Sequence, residues 1–580
     1  MKNLIILDNC ESVKIFKSNK ENYKNNLEIV CLNYSAKYFL SESNIKSKHI
    51  YEFFKQDELD NIKETSENKL NEILNKLDAA SSKFKRDLKL DFDNFFYDFF
   101  KNRLFKTYPT LTLLNIFISL KLKENYDIVY FYDDNLTNKA KIPIIDLIKI
   151  NFKNEKLKFI SHKSEKRFLG RIHSIFWAKN LLNFIFRKIK LNIIKLKLKI
   201  KKNKHDINKI LLLNYDFELL KFLCNRECKI DFYKKSSFIK ENYQNKITED
   251  KKEYIKIYLK DLIDKKIFKE EEEFFVEAIL KYLSNNIHKF LNFLNSLKSC
   301  QKYDYIIWRS PPVHDDLKSL LLLYCLKNKI KIIGFQHGAH YIETNLGNLH
   351  FDQDFNKCNF WVSFRYTEKD YIHTYKERKK NCKIISSKPS KSKKIFLNSK
   401  KRNKINNILY PPRQSHHAAT YFYPKEKILY NNQIKIFQTL ENLENKYFIK
   451  LIPSFSNHNC WYLKSLKKLK LAKIIKGISL KNYYEQYNHS LIILDSWETS
   501  LLETIDYNPD SEIYVLHNYE RAVKDMFLDN LPKNVKIFKD INDFVNGIKN
   551  FKLIHSQNKN MKEFKDNFSF PNFNTLDQIL

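Results

Sequence analysis

Fifteen short runs rich in Ile, Leu, Val, Phe and Tyr recur along this chain, and their alternation with helical stretches narrows the fold more than any other feature. The runs are LIIL at 4–7, LEIVCL at 27–32, DIVYFY at 127–132, KLKFIS at 156–161, KILLLN at 209–214, CKIDFY at 228–233, DYIIWR at 304–309, KIIGF at 331–335, NFWVSF at 359–364 and CKIIS at 382–386. The series resumes with ILYPP at 408–412, YFIKLI at 447–452, SLIILD at 490–495, EIYVLH at 512–517 and VKIF at 535–538. Most are continuously apolar, as expected of strands buried on both faces of a parallel sheet. Helical segments such as DDLKSLLLLYCLKNK at 315–329 lie between them. Strand–helix–strand repetition predicts an α/β fold, and 580 residues, 43% of them apolar, require at least two parallel sheets.

A polar, basic stretch at 387–407 separates two α/β series and predicts a boundary near residue 395, with regions 1–395 and 396–580 on either side. A second irregular zone, 171–204, carries eleven Lys and Arg and no acid. Within it Ile175, Leu182, Ile185, Ile189, Ile193, Leu196 and Ile200 keep a mostly three-to-four spacing, the stripe of a basic amphipathic helix. Such a helix lies on an anionic membrane surface or packs its stripe on its own domain, and the tail KLKLKIK alternates like a strand.

The formal net charge of +37 invites a nucleic-acid reading. Only twelve of the 104 basic residues are Arg, however, and the chain is equally rich in Asn and Ile, a bias of AT-rich coding. Readers of nucleic acid lean on the bidentate guanidinium, so a solvated Lys-rich surface is the simpler account and no specific nucleic-acid partner is expected. Nine Cys are scattered, and Cys224 and Cys228 form a lone CxxxC; neither a zinc site nor a disulfide framework is expected. The apolar run Leu4–Leu7 is too short for a signal-peptide core, and no stretch reaches eighteen uncharged apolar residues. A cytoplasmic protein, peripheral at most, is expected.

Glycine is scarce, six in all, yet Gly334, Gly338 and Gly347 fall together in IIGFQHGAHYIETNLGNLH. Here a buried strand ends and the chain turns through Gln336-His337-Gly338, at the strand end where open α/β sheets bind ligands. Gly338 would admit a positive φ or a close ligand, and His337 could take a proton from an acceptor hydroxyl. One element earlier, DYIIWRSPPVHDD brings Arg309 and His314 to a strand exit, with Asp315 as a helix N-cap.

In the second series, ILYPPRQSHH presents Arg413, Ser415, His416 and His417, and the Arg413 fork suits a diphosphate. YFIKLIPSFSNHNCW buries Lys450 in an apolar run, which predicts that its amine reaches a cleft or water. LIILDSWETSLLETIDYNPD ends a strand at Asp495 and opens a helix near Thr499. Ser500 and Glu503 are spaced as a capping box; alternatively the helix N-terminus and hydroxyls hold a phosphate and Glu503 accepts from ribose hydroxyls. Neither GxGxxG, GxxxxGK[ST], HExxH nor GxSxG occurs, which argues against P-loop NTPases, the dinucleotide fingerprint and elbow-type serine hydrolases.

In order and spacing, GFQHGAHY, KLIPSFSNHNCW and LDSWETSLLETIDYNPD resemble bacterial surface-carbohydrate transferases of the lipopolysaccharide and capsule class. These are GT-B relatives of CDP-glycerol glycerophosphotransferases and capsule Kdo transferases. Gln336, His337, Gly338 and Tyr341 match that family's QHGxxYG motif, with Ile342 in place of the last glycine. Lys450, Pro453 and Trp461 match its R/K-L-Y-P…GW motif, with Cys460 in place of glycine. Thr499, Ser500, Glu503, Asn508 and Pro509 match T-S/T-x-x-E…NxP.

The resemblance implies two Rossmann-type domains facing a central cleft and an inverting, metal-independent transfer from a nucleotide-activated sugar, without a further cofactor. It places Arg413 and Lys450 on phosphates, Thr499 and Ser500 at the helix N-terminus, Glu503 on the ribose and His337 as base. Arg309, His314 and Tyr341 would fall on the acceptor side. A glycan or lipid-linked acceptor would suit the basic segment 171–204. Three rivals remain: a basic nucleic-acid binder, a sugar-nucleotide epimerase or hydrolase on the same architecture, and a non-catalytic relative.

Overall fold

The computed structural model describes the chain apart from Met1 and residues 24–25, 105–106, 134–147, 150–151, 153–155, 163–207, 215, 227, 235–244, 310–314, 337–354, 364–366, 369–381, 388–402, 414–424, 444–445, 452–465, 467, 496–498, 509, 518–527, 530 and 552–572. The boundary expected at 395 and the basic segment 171–204 lie outside the described residues.

Seventeen strands are described, in three sheets in which every pairing is parallel. The first sheet contains β1 (Lys2–Leu7), β2 (Leu27–Cys31), β3 (Lys48–His49), β4 (Tyr126–Asp133) and β5 (Leu157–His162), in the order β3-β2-β1-β4-β5. The second contains β6 (Asn208–Leu212), β7 (Cys228–Phe232), β8 (Tyr305–Trp308), β9 (Lys331–Phe335), β10 (Phe360–Ser363) and β11 (Lys383–Ser386), in the order β11-β10-β9-β8-β6-β7. The third contains β12 (Asn403–Tyr410), β13 (Tyr447–Lys450), β14 (Ala472–Ile475), β15 (Tyr487–Leu494), β16 (Glu512–Leu516) and β17 (Val535–Phe538), in the order β14-β13-β12-β15-β16-β17.

The α/β expectation is met, and the reason is visible strand by strand. β8 is buried at all four positions, and β15 over its last six, so both faces are covered and the apolar run has no polar alternate. Wholly parallel sheets are consistent with the GT-B-like α/β class expected, but there are three of them, two of six strands and one of five, where the resemblance implied two. Two strands were not anticipated. β3 is two residues long, and the charged side chains of LAKIIK obscured β14.

The units join through aromatic packing. Phe99 and Phe100, in the helix Phe95–Leu104, meet Phe290 and Tyr282, in the helix Glu270–Ser296, at ring separations of 5.4 and 5.8 Å. Beneath them Lys85 and Asp78 form a buried ion pair at 3.0 Å, and Asp78 also caps the amides of Phe96 and Tyr97. Because every lone pair and proton of consequence is used locally, this pair is a structural anchor. The first unit touches the third through Tyr34 and Tyr430, 5.4 Å apart, and through Lys468 and Glu42 at 2.9 Å. The chain's last residues return to the second sheet rather than staying with the third: Asn208 donates to the Leu580 carbonyl and Tyr305 to that of Ile579.

Eight cysteines are described and no disulfide joins any two of them; the Cys358 and Cys382 sulfurs lie at hydrogen-bond distance, 3.6 Å apart. Among the described residues no helix is long and apolar enough to cross a membrane.

Candidate functional site

A parallel sheet binds ligands where neighbouring strands send their connections in opposite directions, because the two departing loops leave a crevice at the carboxyl ends. In the third sheet that point lies between β12 and β15; in the second it lies between β6 and β8.

At the β12 exit, Tyr410 is followed by Pro411 and Pro412, which have no amide proton. The first N–H past the strand is therefore Arg413's, and it donates to both carboxylate oxygens of Asp495, at 3.0 and 3.2 Å. Asp495 closes β15 and is 2% exposed. It also accepts from the Tyr410 hydroxyl at 2.8 Å and from Gln433 Nε2 at 2.6 Å. The same Gln433 nitrogen donates to the Arg413 carbonyl at 2.8 Å. Burial pushes the Asp495 carboxyl above the ordinary carboxylate range, while Gln433, Tyr410 and Arg413 hold it down. One carboxylate thus clamps the loop that bears Arg413.

Lys450 closes β13 and is 2% exposed. Its ammonium donates to the Leu451 carbonyl at 2.5 Å. Burial lowers its pKa to about 8, and Glu503 opposes that fall. Glu503 lies one turn into the helix Thr499–Tyr507, which follows β15. Burial raises its carboxyl above the usual range, Lys481 pulls it down, Asp506 pushes it up, and Arg309 and Lys450 pull it down further. No described residue forms a hydrogen bond with the half-buried Glu503 carboxylate.

Arg309 reaches this point from the other sheet. It follows β8, on one side of the second switch point, and ion-pairs with Asp216, which follows β6 on the other. Asp216 in turn caps the helix Phe217–Cys224 by accepting from the Leu219 amide at 2.9 Å. Arg309 is held across its own crevice while its charge acts on Glu503 of the third sheet. The two crevices therefore share one electrostatic field.

Of the residues singled out in the sequence, Arg309 and Lys450 act electrostatically on Glu503, and Arg413 stands at the β12 exit beside β13 and β15. Gln336 is buried at the β9 exit, its amide donating to the Val362 carbonyl at 2.9 Å. His337, Gly338, Tyr341 and His314 lie outside the described residues, as do Ser415, His416, His417, Pro453, Trp461 and Pro509. Thr499 opens its helix, and its side chain is outside the description.

The capping-box expectation for Ser500 and Glu503 is corrected. The helix already runs from Thr499, so Ser500 stands inside it, its carbonyl accepting from Thr504 Oγ1 at 2.6 Å. Glu503 is freed from capping to face Lys450 and Arg309. Asp315 does cap its helix, accepting from the amides of Leu317 and Lys318. Gly334 has a packing cause: a Cβ there would lie 2.6 Å from the Trp308 ring on the neighbouring strand.

Sequence reasoning gave no role to Asp495, Gln433 or Asp216. Asp495 was legible as a charged end to an apolar strand, and Gln433 as a polar residue in the apolar stripe of YNNQIKIFQTL. Among the described residues no group of three His, Cys, Asp or Glu is arranged to hold a metal ion.

Compared with solved structures, the chain is similar to a glycosyltransferase from Rickettsia africae ESF-5, at 12% identity and a TM-score of 0.32 over 65% of this chain and 97% of that one. It is also similar to Arabidopsis thaliana UGT89C1 complexed with UDP-L-rhamnose, at 10% identity and a TM-score of 0.29 over 67% of this chain and 94% of that one. No family model matches the chain, and no curated protein matches it.

Proposed function

We propose that this protein transfers a sugar or polyol phosphate from a nucleotide-activated donor to a surface-polysaccharide or lipid-linked acceptor. The observation that carries this reading is that the third sheet's strand ends around its switch point bear Arg413, its backbone held by Asp495, and the buried Lys450, with Glu503 one turn into the helix that follows β15. A carboxylate with no hydrogen bond among the described residues, and acted on by the charges of Lys481, Arg309 and Lys450, suits a ligand that carries both hydroxyls and negative charge.

In this proposal the donor lies on the third sheet. Glu503 accepts from the ribose hydroxyls. Arg413 meets the diphosphate, Thr499 and Ser500 flank it at the helix N-terminus, and Lys450 contributes positive charge from beneath rather than by direct contact. On the acceptor side, Gln336, Gly338, Tyr341, Arg309 and His314 line the approach. His337 removes the acceptor hydroxyl proton as that oxygen attacks the donor carbon. With a sugar donor the bond from that carbon to the phosphate leaving group breaks with inversion. With a polyol phosphate donor the oxygen attacks the distal phosphorus instead, and the nucleoside monophosphate leaves. In both cases the leaving negative charge is met by Arg413 and Lys450 in place of a metal ion. The proposal needs no cofactor beyond the donor itself. It locates the protein in the cytoplasm, peripheral at the membrane through 171–204.

The division of roles is testable. His337→Ala is expected to lower transfer roughly 10²–10⁴-fold, the range of a general base, with nucleotide affinity within twofold of the unmodified chain. Equal loss of nucleotide binding in His337→Ala and Glu503→Ala would overturn it.

A further inference from the structure

Within the third unit one side chain does more than its place in a helix requires. Gln433 belongs to the helix Lys425–Glu441 and is 0% exposed, at a position where an apolar residue would ordinarily face the sheet. Its Nε2 donates twice, to the Asp495 carboxylate at 2.6 Å and to the Arg413 carbonyl at 2.8 Å. One amide thereby joins the end of β15 to the first residue beyond the Pro-Pro exit of β12, the two strands that bound the switch point. Its Oε1 is buried with no hydrogen-bond partner, a cost the fold bears to keep a donor there.

The helix that carries Gln433 is fixed from behind. Three residues earlier, Tyr430 packs on Tyr34 and Tyr38 of the first unit, with ring centroids 5.4 and 6.2 Å away. The amide is consequently tied to the added five-stranded unit as well as to the crevice. An apolar side chain of similar volume would fill the space, so packing alone does not require glutamine. What only an amide supplies is a donor that holds a carbonyl and a carboxylate in fixed relation.

We infer that Gln433 is a positioning residue: by clamping the Arg413 backbone to Asp495 it sets where the Arg413 guanidinium meets the donor diphosphate. This inference rests on the donor-site reading proposed above. Tyr410 serves the same carboxylate from the strand side, so its hydroxyl contributes in the same direction and less strongly, holding only the carboxylate.

A double-mutant cycle on the full-length chain tests it, read by calorimetric titration with nucleoside diphosphates. Gln433→Leu is expected to weaken diphosphate affinity about tenfold in the unmodified background and less than twofold in an Arg413→Ala background. It is also expected to speed tryptic cleavage after Arg413 several-fold, a readout that needs no nucleotide. Tyr410→Phe, which leaves the helix intact, is expected to weaken affinity two- to fivefold and serves if Gln433→Leu does not fold. Equal losses in both backgrounds, or unchanged affinity with unchanged cleavage, would overturn the positioning role. A chain that binds no nucleoside diphosphate, but whose cleavage after Arg413 still quickens in Gln433→Leu, overturns the donor-site reading and leaves the clamp standing as a structural one.

Discussion

The first and third sheets share the strand order 3-2-1-4-5, yet their switch points are finished differently. At the first, Asn9 is fully buried and turns its side chain onto the helix that follows β1, accepting from the amides of Glu11 and Ser12 at 2.8 and 3.1 Å. Asn33, leaving β2, caps the next helix through Ala36 and donates to the Asp8 carbonyl. At the β1 and β2 exits the asparagine side chains are thus satisfied by neighbouring backbone groups. At the third, Asp495 is equally satisfied from within, but Glu503 one turn away has charged neighbours and no hydrogen bond among the described residues. Two switch points share one geometry, yet their described side chains do different work: Asn9 caps a helix, whereas Glu503 keeps charged neighbours and no hydrogen bond among the described residues. A fold likeness alone therefore does not locate function.

That contrast can be broken by substitution, and the largest effect belongs to the third sheet's switch point. Lys450→Met removes a buried charge and keeps the volume, so nucleotide affinity is expected to fall 10- to 100-fold, about 1.4–2.7 kcal/mol, with thermal stability unchanged or raised. A drop in both would mean that Lys450 is structural. Asn9→Ala is the counterpart at the first switch point, expected to cost about 1 kcal/mol of stability through the lost cap while leaving nucleotide affinity untouched. Denaturant titration and calorimetry on the same variant separate the two.

The smallest effect is a pH dependence. Lys450 holds its proton below about pH 8, so the site's positive charge is complete at pH 7 and declines as pH rises through 8. Diphosphate affinity is expected to weaken by less than tenfold between pH 7 and 9. Lys450→Arg, which stays charged throughout, should flatten that slope even if its absolute affinity is lower.

Much of the architecture was legible because its strands are continuous apolar runs. KIIGF and VKIF were bounded to the residue, and most others to within one or two. The additional sheet was less legible: the basic zone 171–204 between β5 and β6 was read as an amphipathic helix and not as a boundary, and the division into sheets lies in how strands pair, not in where they occur. Among site residues, Arg309, Lys450 and Glu503 could be found because a charge at the end of a buried run is conspicuous. Gln433 stood out only as a polar residue in an apolar stripe, and its role could not be read because it depends on two groups just past strand ends, 20 and 62 residues away in sequence. The need for Gly334 was not legible for a related reason: its neighbour is the Trp308 ring on the adjacent strand, a packing contact that sequence spacing does not show.

The most direct test is calorimetric titration of the full-length chain with CMP, CDP, UDP, GDP and dTDP at two salt concentrations, repeated with Glu503→Ala. The account predicts saturable binding of one nucleotide that survives the higher salt and weakens at least tenfold in the variant. Weak, indiscriminate binding that vanishes with salt and ignores Glu503 would contradict it, leaving the +37 charge as the source of all affinity.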